Sequence, residues 1–187
     1  MNEERKSFVR KLLDIGIVLV TDSINEETLR IISDAVSEFY IKKIPKMTLL
    51  ISSDGGNLSI ALQIYDLLGL YPGEKTGIVF GRAHSAALIV LQGCDKRYAT
   101  ANSTILIHHG SCNVNKNLFY DKKGLAKLIR DAKEVEKVVS LLFQKKTKRT
   151  PKEIHKLSME DKKIFVKEAI KFGFLDGVWD KPLPFVS

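Results

Sequence analysis

The sequence predicts a single α/β domain with mostly parallel strands. Two observations carry this. Short β-branched and apolar runs of strand length alternate repeatedly with segments of helical periodicity, the pattern of βα units. The chain of 187 residues, 44% hydrophobic and 28% charged, is long enough for one sizeable core and too apolar to be disordered.

The elements follow in order. Residues 7–13 can form a helical turn, and residues 15–20 read as a buried strand. Thr21-Asp22-Ser23 breaks it, and Asn25 or Ser23 caps a helix whose inward face is Leu29, Ile32, Val36 and Phe39/Tyr40. Pro45 ends the connection, and residues 47–51 are the next strand. Ser52-Ser53-Asp54-Gly55-Gly56-Asn57 leads into a helix over 58–70. A Gly-Gly pair there permits positive φ and close approach of another backbone, although alone it reads as a plain βα turn. Tyr71-Pro72-Gly73 turns the chain into a strand at 76–80, which Gly81 cuts. Ser85 then opens an apolar helix.

Gly93-Cys94-Asp95 is a turn, and residues 97–99 and 104–107 are short strands around Asn102-Ser103. The second ends at His108-His109-Gly110. A loop containing Asn113, Asn115 and Asn117 leads to the longest helix, about 120–146, striped by Leu125, Leu128, Ile129, Ala132, Val135, Val139 and Leu142. At 1.5 Å per residue it is about 40 Å long and overhangs so small a domain. Its far end, through Val139, Leu142 and Phe143, is expected to pack on another subunit. Thr150-Pro151-Lys152-Glu153 has capping-box spacing with proline at the first helical position, so a short helix starts there. Residues 158–161 read as a loop, 163–165 as an extended piece, and 167–172 as a helix ended by Gly173.

Composition narrows the function classes. The longest apolar run is far too short to span a bilayer, and the charged start leads to no signal-peptide core, so a cytoplasmic protein is expected. Cys94 and Cys112 are too few for a disulfide framework or a zinc site. The net charge is +8, and residues 116–171 carry an excess of +9, with 17 Lys and Arg against 8 Asp and Glu. These lysines alternate with acidic residues and are not interleaved with stacking aromatics, which points to a solvated helix face and not to nucleic acid.

Chemistry in open α/β sheets gathers at the carboxyl ends of strands. Gly55-Gly56, Ser85 and His108 each follow one. A serine at a strand–helix junction is by default an N-cap, and a histidine at a strand end is by default a satisfied polar residue. Together, however, they supply a nucleophile and a base; a carboxylate could orient that base, and the amides of Gly56 and Ala86 could hold an oxyanion. His109 competes with His108, but neighbours on a strand point to opposite faces, so only one can meet Ser85. His155, on a lysine-rich helix, reads as solvated. The Gly-x-Ser-x-Gly elbow is not met, because Ala83 and Ala87 stand at the glycine positions.

Four motifs in order make the reading specific. Ser53-Asp54-Gly55-Gly56, followed by Ile64-Tyr65-Asp66, resembles a Ser-Pro-Gly-Gly turn and the helix after it. Gly81-Arg82-Ala83-His84-Ser85 resembles a Gly-x-Ala-x-Ser nucleophile motif, and Ala101-Asn102-Ser103 through Ile107-His108 a Pro-Asn-Ser-x-x-x-Ile-His segment. Glu168-Ala169 through Gly173 to Asp176 resembles a Glu-Ala-x-x-x-Gly-x-x-Asp stretch. With these motifs the chain resembles the proteolytic subunit of the Clp protease, a serine peptidase family of the ClpP/crotonase-like superfamily, over about residues 15–178.

The resemblance implies a repeated ββα (spiral) core with a projecting long helix, and one domain over 1–187. It implies Ser85 as nucleophile, His108 as base and Asp161, not Glu160, as the third member, with oxyanion amides at Gly56 and Ala86. It implies polypeptide substrates, no cofactor or metal, a homo-oligomer of stacked rings and a possible AAA+ unfoldase partner. Asp54 in place of proline, Ala87 in place of glycine, and Arg82 and His84 beside the serine depart from the pattern, as do Thr48 and Leu50 where the family often has aromatics. So does the loop after His109, which lacks the family's Gly-Gly run. Two other readings are a non-catalytic ring subunit, disfavoured by the retained triad residue types, and an acyl-CoA-processing crotonase-like enzyme, which has no use for the Ser/His pair.

Overall fold

A computed structural model describes residues 3–108 and 121–183. Helix α1 (Glu3–Asp14) leads to β1 (Ile17–Val20), α2 (Glu26–Ile41), β2 (Lys46–Ser53), α3 (Leu58–Leu70), β3 (Glu74–His84) and α4 (Ala86–Gln92). Then come β4 (Lys96–Ala99), β5 (Thr104–Leu106), α5 (Lys122–Thr147), α6 (Pro151–Glu160), β6 (Lys163–Phe165), α7 (Val166–Phe172) and β7 (Gly177–Val178). The expected α/β class with mostly parallel strands is what forms. Strands β1-β2-β3-β4-β7 run parallel side by side, while β5 pairs parallel with β3 and antiparallel with β6.

Alternation along β2 and β3 sorts side chains between two layers. Leu49, Ile51 and Val79 face the main core together with Ile32, Phe39, Ile64 and Leu88 from the helices. Leu50, Ile78 and Ile17 point the other way, into a smaller cluster covered by Leu12, Trp179 and Leu183. Helix α2 is started by Asn25, not Ser23: its side chain accepts from the Thr28 N–H at 3.1 Å, and Thr28 Oγ1 accepts from the Asn25 N–H at 3.4 Å. Its inner face is Thr28, Ile32, Ala35 and Phe39, so Tyr40 is left exposed.

Three expectations need correction. Strand β3 does not end at Phe80. Gly81 adopts φ +97°, its N–H donates to Ser103 Oγ at 3.0 Å, and the strand continues to His84. It changes neighbours there, pairing with β4 over 76–79 and with β5 over 82–84. Residues 158–160 are not loop but the last turn of α6, because Leu157 and Ser158 are buried and the Thr150–Glu153 capping box nucleates the helix. On α5 the Leu142–Phe143 end lies in this chain's own core, while Ile129, Val135, Val138 and Leu141 are exposed; the unpartnered stretch is the earlier part of the helix. Tyr120, where the helix was expected to begin, lies outside the described residues.

Among the described residues no helix is long and apolar enough to cross a membrane. The basic excess of 116–171 falls largely on exposed positions of α5 and α6.

Candidate active site

Ser85 joins β3 to α4 with φ +52° and ψ −123°, a region that side-chain-bearing residues rarely occupy. The cap role that a serine here would ordinarily play is not taken: its side chain makes no cap hydrogen bond to α4. The backbone is held instead by its N–H, which donates to the Leu106 carbonyl of the β5 strand at 2.8 Å. The helix behind it is buried along its whole length, so the half-buried serine is the point where this element meets the surface. A hydroxyl free of capping duty, on a turn pinned from both sides, is available for chemistry.

The second wall is the Gly55-Gly56 turn, with φ +97° and +152°. Gly55 is required by space as well as by φ, because a Cβ there would lie 2.6 Å from the His84 carbonyl oxygen, 2.9 Å from Ser85 Cβ and 3.0 Å from the Ala86 nitrogen. The turn is anchored on its far side. Ser53 Oγ accepts from the Gly55 N–H at 3.1 Å and donates to the Asp22 carbonyl at 2.7 Å. The Gly55 carbonyl accepts from the Ile24 N–H at 2.9 Å and from Ser23 Oγ at 3.1 Å. Among the described residues, no acceptor pairs with the amides of Gly56 and Ala86.

His108 follows β5 by two residues and is half-buried, with Ile105 and Ile107 turned into the core between the outward positions. The β3–β5 pairing ends with His84 opposite Leu106, so Ser85 and His108 leave the ends of neighbouring strands. The antiparallel β5–β6 pairing has Leu106 opposite Lys163, so Asp161, two residues before β6, lies towards the same end as His108. Asp161 terminates α6 in the left-handed conformation at φ +46° and is exposed. The topology thus brings Ser85, His108 and Asp161 to one end of adjoining strands. Among the described residues no hydrogen bond joins the three. Glu160, the competing carboxylate, is engaged by Lys162 at 3.2 Å. His109 and Cys112 lie outside the described residues. Cys94 offers no rival nucleophile, since burial pushes its thiol up to about 12. His155, exposed as expected, sits 3.2 Å from Glu136.

Sequence reasoning did not foresee the polar cluster behind the serine. Asp54 Oδ1 meets Arg82 Nε at 2.6 Å and His84 Nδ1 at 3.4 Å, while His84 Nε2 lies 3.0 Å from Thr104 Oγ1. The His84 side chain is buried, and burial holds its imidazole below the usual 6.5; Asp54 opposes the shift, whereas Lys163 and Arg82 add to it. The only signal was that Asp54, Arg82 and His84 are where the chain departs from the motifs. Ser103, a motif residue that is completely buried, has a role its sequence position did not reveal: its hydroxyl donates to the Val79 carbonyl at 3.0 Å while accepting from the Gly81 N–H, which shapes the bend that delivers Ser85.

A family model described as Clp protease matches residues 1–182. A protein of Thermobifida fusca (strain YX) named ATP-dependent Clp protease proteolytic subunit 1 is 28% identical over 181 residues, covering 95% of this chain and 78% of that one. The ATP-dependent Clp protease proteolytic subunit of Streptococcus mutans serotype c is 29% identical over 136 residues, 71% of this chain and 67% of its own length. The solved structure of ClpP1 from Listeria monocytogenes superposes with a TM-score of 0.80 at 19% identity, over 94% of this chain and 97% of that one, which establishes the common fold.

Proposed function

The chain belongs to the Clp protease family, and on that premise we propose that it is a serine endopeptidase that cleaves unfolded or short polypeptides with a Ser85–His108–Asp161 triad. The observation that carries this reading is the Ser85 turn, where a strained serine with an uncapped hydroxyl is packed against Gly55 beside the amides of Gly56 and Ala86, which find no acceptor among the described residues. The chemistry follows from the residue types. His108 takes the Ser85 Oγ proton as the oxygen attacks the peptide carbonyl carbon, and the amides of Gly56 and Ala86 stabilise the resulting oxyanion. The intermediate collapses, the C–N bond breaks, and His108 passes the proton to the departing amine. Water, deprotonated by His108, then attacks the acyl ester and releases Ser85. Asp161 keeps the imidazole oriented and stabilises its charged form. No cofactor enters these steps.

A homo-oligomeric chamber of stacked rings fits the exposed apolar residues Ile129, Val135, Val138 and Leu141 on a long helix. A separate AAA+ unfoldase as partner fits the ATP-dependent relatives, and a cytoplasmic location fits such an assembly. The test is hydrolysis of a fluorogenic short peptide. Ser85→Ala and His108→Ala are expected to lose roughly 10³-fold or more in kcat; His108→Ala at wild-type rate would contradict the assignment of the base.

A further inference from the structure

Two glycines in succession make a turn that is entropically free unless something holds it. Ser53, Ser23 and Ile24 hold it on the side away from Ser85. On the near side the link is made by side chains of the residues that precede each partner: Asp54 before Gly55, and His84 before Ser85. We propose that His84 is a positioning residue whose imidazole, braced by Thr104, ties Asp54 and with it the Gly55-Gly56 turn to the backbone carrying Ser85, keeping the Gly56 and Ala86 amides aligned. The proposal rests on the serine-peptidase reading above.

The geometry closes a short loop. His84 and Asp54 meet through Nδ1 and Oδ1 at 3.4 Å, and their backbones meet again where Gly55 abuts the His84 carbonyl and Ser85 Cβ. The His84 side chain is only 6% exposed, so it is fixed by its surroundings, and both of its nitrogens have partners. Nδ1 faces the Asp54 carboxylate at 3.4 Å, and Nε2 pairs with the Thr104 hydroxyl at 3.0 Å. Arg82 Nε, on the same Asp54 oxygen at 2.6 Å, fixes the carboxylate from the solvent side. Asp54 is 71% exposed at its side chain, so replacing it removes the tie without opening the core.

The test measures kcat and KM for a fluorogenic peptide in Asp54→Ala, Asp54→Asn, His84→Ala and the double alanine variant, with fluorophosphonate labelling of wild-type Ser85 as control. Because a misplacement of about 1 Å can cost roughly 10²-fold, Asp54→Ala and His84→Ala should lose about 10- to 100-fold in kcat with KM within about twofold. Asp54→Asn, whose amide oxygen keeps a polar atom facing Nδ1, should stay within about threefold of wild type, and the double variant should be no worse than the poorer single one. With Ser85 labelled in the wild type, wild-type kcat in Asp54→Ala, or strictly additive losses in the double variant, overturns the positioning role alone. An unlabelled wild type overturns the nucleophile reading, and the positioning role falls with it.

Discussion

A Cβ on Gly55 would stand 2.9 Å from Cβ of Ser85, closer than two such carbons can pack. The glycine is therefore part of the serine's setting. Gly55→Ala must push the two turns apart and also carry a side chain at φ +97°. We expect a loss of about 1–3 kcal/mol in urea unfolding together with a fall in peptidase kcat of roughly 10²-fold. A variant with wild-type kcat would show that the contact is not needed for the chemistry.

The buried imidazole makes stability sensitive to acid. Because the folded state holds His84 below its usual 6.5, the unfolded chain binds the proton first, and stability is lost as pH falls from about 6.5 through the lower folded value. Denaturant midpoints at pH 7.5 and 5.5 check this. His84→Asn should lose less on acidification than the wild type, and an equal loss in both would contradict the account.

The Asp176 carboxylate fastens β7 to β4. It accepts from Arg97 Nη2 at 2.6 Å, Nε at 3.2 Å and the Arg97 N–H at 2.7 Å, while the Arg97 side chain is nearly buried beside Gln92. Asp176→Ala strands that guanidinium without its counter-charge and is expected to cost about 3 kcal/mol. Arg97→Met with Asp176→Leu should recover part of the loss. Equal stability of Asp176→Ala and wild type in chemical denaturation would refute the role.

The long helix predicts where assembly can be disrupted. Val138 and Leu141 are 50% and 55% exposed, whereas Leu142 and Phe143 are in the core. Val138→Asp with Leu141→Asp should leave the circular dichroism spectrum intact and reduce the mass seen by light scattering. A wild-type monomer, or an unchanged mass in the variant, would remove the proposed chamber.

Much of this was legible in the residues, for identifiable reasons. The bounds of α3, a cap at Asn25 or Ser23 and the capping box at Thr150 follow from local chemistry, which sequence carries directly; the choice of Asn25 came only with its hydrogen bond to the Thr28 N–H. The end of α6 was not legible, because Ser158 looks like a loop residue until its burial and its hydrogen bond to the His155 carbonyl are known. Nor was the run of β3 through Gly81, which depends on Ser103, 22 residues away. Ser85 could be singled out by its place after a strand, but its positive φ and missing cap bond could not, since no residue type announces them. Asp54 and His84 lie 30 residues apart and show their pairing only once β2 and β3 lie side by side.

The central claim is that Ser85 is the nucleophile, and intact-mass spectrometry after treatment with a fluorophosphonate tests it most directly. The account predicts a single phosphonyl adduct on the wild type, mapped to Ser85, and none on Ser85→Ala. An adduct that survives Ser85→Ala, or a wild type that takes up none, would contradict it.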